Sequence, residues 1–192
     1  ADYGHSSVLK FKGSDAPNNI PRFEGGLGQD LADVRQFSNQ AAGLGCGFWV
    51  DRSVFLDLGG LAEDMRINED TDFSIKLLKS ACKGIKAPHP GVMVRKHGER
   101  ADTLPHLTHT ASAKERAGYF DKILKRHADW IVTRPDAATF LLRRQLKMLA
   151  KARDTKAARQ ILASQLAKPY WVALTLYYAA ECISARARRP KN

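Results

Sequence analysis

The sequence predicts an α/β unit over residues 1–110 followed by an all-helical region over residues 111–192. Three observations carry that division. Of the 14 glycines only Gly118 lies beyond residue 110. Short strand-like runs bounded by glycine, proline and asparagine are confined to the first half. A strand, a helix and further strands follow one another between residues 43 and 94, an order that packs helices on a sheet.

The elements follow from local chemistry. Ser7 to Phe11 reads as a strand, followed by a loop marked by Gly13, Pro17, Asn18, Asn19 and Pro21. Gln29 to Gln40 has helical spacing, with Leu31, Val34, Phe37 and Ser38 on one side. Gly43 to Val50 reads as a glycine-broken buried strand, where backbone must come close to a neighbour. A short helix from Asp51 or Arg52 to Leu58 ends at Gly59-Gly60. Asn68 is an expected N-cap for a helix from Glu69 to about Cys82, closed by Gly84. Ile85–Ala87 and Val92–Val94 read as two strands around a Pro88-His89-Pro90-Gly91 turn. Helices are then expected over Ser112–Ile131, after Pro135, over Thr155–Leu166 and after Pro169. Ala157 to Pro169 resembles one helix of a tetratricopeptide-like hairpin, in a single copy.

Composition narrows the functional classes. Hydrophobic residues make up 44% and charged residues 27%, the balance of a globular chain. Cys46, Cys82 and Cys182 are far apart, with no CxxC pair for zinc or disulfide exchange, which points to a reducing compartment. Thirty-one Lys and Arg against twenty Asp and Glu give a net charge of +11, a field that favours anionic partners. The longest uncharged stretch of interest, Pro169 to Ala180, is far short of the roughly 20 residues a spanning helix needs.

Asn68-Glu69-Asp70-Thr71-Asp72 is the most informative stretch. Carboxylates in a first helical turn complement the helix dipole without any further role. At about 100° per residue, however, Phe73, Ile75, Leu77, Leu78, Ala81 and Cys82 form one apolar face. Asp70 falls over that face, where a carboxylate is costly unless it lines a cleft or is fully hydrogen-bonded. Asp72 falls opposite, with Lys76, Lys79 and Lys83, as a solvent-side i,i+4 partner of Lys76. Asp70-Thr71-Asp72 spells D-x-D, but helical residues two apart diverge by about 200° and cannot share one cation.

Together, Gly43-Leu44-Gly45-Cys46-Gly47, Arg52, Leu58-Gly59-Gly60-Leu61-x-Glu63, Glu69-Asp70-Thr71-Asp72-Phe73, Lys83-Gly84, Pro88 and His97 keep a recognisable order and spacing. The set resembles the acceptor-side half of a family 2, inverting glycosyltransferase of the GT-A fold, over roughly Ala1 to Gly98. Leu61-Ala62-Glu63 departs from relatives, which tend to carry an aromatic and an Asp there. The helical tail is similar to appendages on bacterial members that build polysaccharides and glycoconjugates.

The resemblance implies Asp70 as the general base for an acceptor hydroxyl and Glu69 as its support. It implies contacts to acceptor or donor at Gly45, Cys46, Gly47 and Arg52, and a metal-side role for His97. The family uses Mg²⁺ or Mn²⁺, a nucleotide-sugar donor and a glycan or lipid-linked acceptor. Its first, nucleotide-binding half, with the metal-carrying D-x-D, has no counterpart in this sequence: residues 1–7 resemble the strand after that motif, and Gly25-Gly26-x-Gly28 lacks the Lys of a P-loop. The chain therefore reads as a C-terminal piece of a longer enzyme, inactive by itself, with an incomplete sheet prone to self-association. The expected location is cytoplasmic, with peripheral contact at the inner membrane face.

Other readings stay open. His89, His97, His106 and His109 form a rival metal set, weakened by the loop character of residues 105–110. The basic tail, with Lys122, Lys125, Arg126, Arg143, Arg144 and Lys147 among others, defines the alternative function: a helical binding module for nucleic acid or an anionic membrane surface. Tyr170, Trp171, Leu174, Tyr177 and Tyr178 precede the Arg186–Lys191 cluster, an aromatic–basic pairing suited to anionic headgroups. The same aromatics would equally pack a helical bundle.

Overall fold

A computed structural model of the chain describes residues 1–12, 29–31, 37–40, 47–96 and 110–187. The protein is mixed α/β with a helical C-terminal region, and it divides into two compact units, Ala1–His106 and Leu107–Asn192.

In the first unit, strands β1 (Tyr3–Lys12), β2 (Gln29–Asp30), β3 (Phe48–Val50) and β4 (Gly84–Lys96) form one sheet in the order β2-β4-β1-β3. β1 runs parallel to β4 and antiparallel to β3, while β2 runs antiparallel to β4. Helices α1 (Phe37–Gln40), α2 (Arg52–Asp57) and α3 (Glu69–Lys79) complete the described elements. A parallel β1–β4 pair requires a crossover, and α3 lies within it. Tyr3, Leu31, Phe73 and Leu77 form the buried core, with Phe48, Val50, Val54, Phe55, Leu58 and Cys82 packed against it. Burial, then the neighbouring Cys82 and Asp30, push the Tyr3 hydroxyl up to about 12.

Four local expectations change under tertiary pairing. β1 begins at Tyr3 instead of Ser7, because Tyr3, Gly4 and His5 pair with β3 as well as with β4. Gln29 and Asp30, expected in a helix, pair as a strand with Lys86 and Ile85, and Leu31 beyond them enters the core. The expected turn at Pro88–Gly91 is instead the irregular middle of one strand. The ladder passes from Ser6↔Ala87 through Ser7↔Pro90 to Val8↔Val92, so the bulge absorbs both prolines and their missing N–H groups. Ser7 Oγ donates to the Pro88 carbonyl at 3.3 Å across it. Finally, α3 stops at Lys79, where Ser80 turns extended and its hydroxyl donates to the Leu77 carbonyl.

The second unit is helical throughout its described length. It contains α4 (Ala113–Arg126), α5 (Ala128–Ile131), α6 (Pro135–Ala152), α7 (Thr155–Leu162), a 3₁₀ turn (Lys168–Tyr170) and α8 (Trp171–Ala187). Ser112 Oγ accepts from the Glu115 N–H and Asp154 Oδ1 from the Ala157 N–H, so α4 and α7 start on side-chain caps. Pro135 opens α6, where its missing N–H costs nothing. α6 is the central helix: its Leu141, Leu142, Leu146 and Leu149 are buried, and α4, α7 and α8 all pack on it. The single helix expected over Ser112–Ile131 breaks at His127, and the break carries Ile131 into the core, fully buried. Among the described residues no helix is long and apolar enough to cross a membrane.

Candidate active site

The candidate site is assembled around the first turn of α3 and the segments that hold that helix. Gly47 leads into β3 with φ +77°, and its carbonyl accepts from the Ser6 N–H at 3.0 Å and from Ser6 Oγ at 3.4 Å. A Cβ at Gly47 would lie 2.5 Å from Ser6 Oγ, so only glycine fits there. At the other end of β3, Asp51 Oδ1 accepts from the N–H and hydroxyl of Ser53, at 2.7 and 2.6 Å, and starts α2. The hydroxyl and then the N–H of Ser53 hold the Asp51 carboxyl below its usual range. Arg52, the first residue of α2, is exposed.

α2 runs into Gly59 and Gly60, both left-handed at φ +72° and +62°. The Gly60 carbonyl accepts from Lys76 Nζ at 2.9 Å, which ties this turn to α3. Phe73 provides the second tie, with Phe55 5.2 Å away and Phe48 edge-on at 6.2 Å.

Asn68 enters α3 with φ +63° and ψ 14°, a left-handed conformation that asparagine tolerates better than most side chains. Its carbonyl accepts from the Asp72 N–H, but its side chain does not cap the helix, contrary to expectation. Asn68 Nδ2 and Glu69 Oε2 are both buried without a hydrogen-bond partner among the described residues. Asp70 is half-buried; its Oδ1 accepts from the Thr71 N–H at 2.6 Å and from Thr71 Oγ1 at 3.3 Å. Its second oxygen carries no protein hydrogen bond among the described residues.

Asp72 corrects the wheel. Expected on the solvent side, it is fully buried at 0% exposure, as are Phe73 and Ile75. A single-sided wheel assumes one buried face, whereas α3 is buried on the side of Asp72 as well, and Lys76, one turn further along that side, reaches the Gly60 carbonyl.

Glu69 and Asp70 share the first turn of α3, and Gly47 directly precedes Phe48, whose ring meets Phe73 of the same helix. Gly45, Cys46, His97, His106 and His109 lie outside the described residues, and His89 is exposed on β4. Sequence reasoning missed His5, which is 6% exposed, with a buried Nε2 that has no partner among the described residues. Burial first, and Lys86 second, hold His5 below the usual histidine range. Extending β1 by four residues would have found it, since period two places His5 on the face of Tyr3.

Among the described residues no three His, Cys, Asp or Glu side chains converge as a metal set. The described residues therefore offer no ligand shell for the implied Mg²⁺ or Mn²⁺. No protein-family model, no curated protein and no solved structure matches the chain.

Proposed function

We propose that the first unit is the acceptor-side part of an inverting glycosyltransferase of the GT-A type, with Asp70 as general base. The observation that carries this reading is the Asp70 carboxylate, half-buried in the first turn of α3, with one oxygen anchored on Thr71 and the other without a protein hydrogen bond among the described residues. Anchoring one oxygen on the Thr71 backbone orients the other toward a proton donor.

In the proposed step the acceptor hydroxyl oxygen attacks the anomeric carbon of the donor sugar. Its proton passes to the Asp70 carboxylate, and the bond to the nucleoside diphosphate breaks with its electron pair, inverting the anomeric centre. Glu69 supports the turn, Gly47 keeps the backbone before β3 close to Ser6, and Arg52 offers an exposed cation at the start of α2. The matching order of Gly43–Gly47, Arg52, Gly59-Gly60 and Glu69-Asp70 also supports this reading. On this reading donor binding falls to a nucleotide-binding half outside the residues that carry the resemblance.

The test is turnover of Asp70→Asn by the chain combined with that half. Asparagine retains the Thr71 contacts but not the basicity, so kcat should fall by about 10²–10⁴-fold with donor KM little changed. Stability should change by only about 0.3–1 kcal/mol, the value of a charge at a helix start. A kcat equal to wild type would refute the assignment.

A further inference from the structure

We propose that the outward face of α8 docks the helical unit on an anionic lipid bilayer. Of Tyr170, Trp171, Leu174, Tyr177 and Tyr178, which the sequence left open between a lipid-facing set and bundle packing, Leu174, Tyr177 and Tyr178 turn inward. Leu174 is fully buried and Tyr177 and Tyr178 are half-buried, with Arg143 lying 5.4 Å over the Tyr177 ring. The face that remains outside is different and more apolar. Val172, Leu176 and Ile183 are 62%, 67% and 68% exposed, and Ala179 is exposed between them. Their spacings of four, three and four residues put them on one stripe of the helix. Trp171, 53% exposed, stands at its start.

An isolated exposed leucine needs no explanation, but a continuous apolar stripe on a helix marks a contact surface. Its charges identify the occupant. Between Trp171 and Ala185 the only charged residue of α8 is Glu181, which points away from the stripe and pairs with Lys147 at 3.3 Å. Exposed Lys168 precedes the stripe and exposed Arg186 ends it, followed in sequence by Arg188, Arg189 and Lys191. The wider field agrees: among residues 107–192, eighteen Lys and Arg stand against six Asp and Glu. The first unit, with thirteen against fourteen, is nearly neutral. A second copy would bring like charge against like charge. Nucleic acid would meet an uncharged stripe that offers its phosphates nothing. An anionic bilayer satisfies both features: the stripe enters the headgroup–acyl boundary, tryptophan sits at the interface, and the flanking cations face lipid phosphates. This inference is independent of the chemistry proposed for Asp70.

The experiment is co-sedimentation of the whole chain with vesicles of phosphatidylcholine alone or mixed with phosphatidylglycerol. Wild type should partition at least about 10-fold better onto the anionic vesicles. The preference should shrink as salt rises from about 0.1 M to about 1 M and the Debye length falls from about 10 Å to about 3 Å. Leu176→Gln with Ile183→Gln should lower partitioning by at least about 10-fold without shifting the melting temperature, because both side chains already face water. As a second readout in the wild type, brominated lipid should quench tryptophan emission, and Trp171→Phe should remove most of that quenching. Equal partitioning onto both vesicles, or an unchanged double variant, would overturn the proposal. So would a wild-type dimer that the double variant dissociates without any lipid binding, and so would tight duplex DNA binding with no affinity for vesicles.

Discussion

Replacing Phe73 with alanine probes the packing that holds the candidate base in place. Phe73 lies one turn along α3 from Asp70, is 0% exposed, and meets Phe55 at 5.2 Å and Phe48 at 6.2 Å. A buried phenylalanine takes about 150–250 Å² out of water. Truncation at Cβ forfeits most of that area, about 4 kcal/mol at about 25 cal/mol per Å². The figure lies inside the range of about 3–5 kcal/mol found for such truncations. Against the total of about 5–15 kcal/mol that holds a domain folded, the loss leaves the first unit marginal. The assay is urea unfolding followed by Trp49 emission in a Trp130→Phe, Trp171→Phe background, because a Cβ built on Gly4 of β1 would lie 2.6 Å from the Trp49 ring. Phe73→Leu, which keeps an apolar side chain between α2 and β3, should retain much of the stability. A loss below about 1 kcal/mol for the alanine variant would show that α3 is not fixed through this ring, and the packing argument would fail.

Gly47→Ala should destabilise by roughly 1–2 kcal/mol from its left-handed backbone alone, and further because the new Cβ would lie 2.5 Å from Ser6 Oγ. Thermal melts should show partial recovery when Ser6→Ala is added, and no recovery would refute the clash. His5 is held below its ordinary value of 6.5, so the unfolded chain binds the proton more readily than the folded one. Its contribution to stability is complete above about 6.5 and is lost as pH falls through that value toward the folded one. Denaturation of wild type and His5→Gln between about pH 8 and pH 5 should show this slope in wild type alone. In calorimetry with Mn²⁺ present, the 192-residue chain alone should give no binding of UDP- or GDP-sugars. Micromolar binding would refute the assignment of donor recognition to another half.

The sequence by itself determined the features that depend on near neighbours. Ser112, Asp154 and Pro135 start their helices through contacts three residues away or through a fixed φ, and each was legible as a cap or an N1 proline. Glycine usage separated the two regions, Gly59-Gly60 ended α2, and Glu69-Asp70 opened α3. Tertiary structure decided whatever depends on the chain lying opposite. Pairing with β3 and β4 lengthened β1 to include His5, and the edge of β4 drew Gln29 and Asp30 out of a helical pattern. The bulge against Ser6 and Ser7 let a proline-containing segment remain one strand. Asp72 is fully buried where the wheel put it in solvent, and Lys76 on the same side of α3 reaches the Gly60 carbonyl, a contact between residues sixteen apart. On α8, apolar residues occur on every side, so periodicity left the inner face undefined. Packing against α6 chose Leu174 for the core and left Val172, Leu176 and Ile183 facing outward.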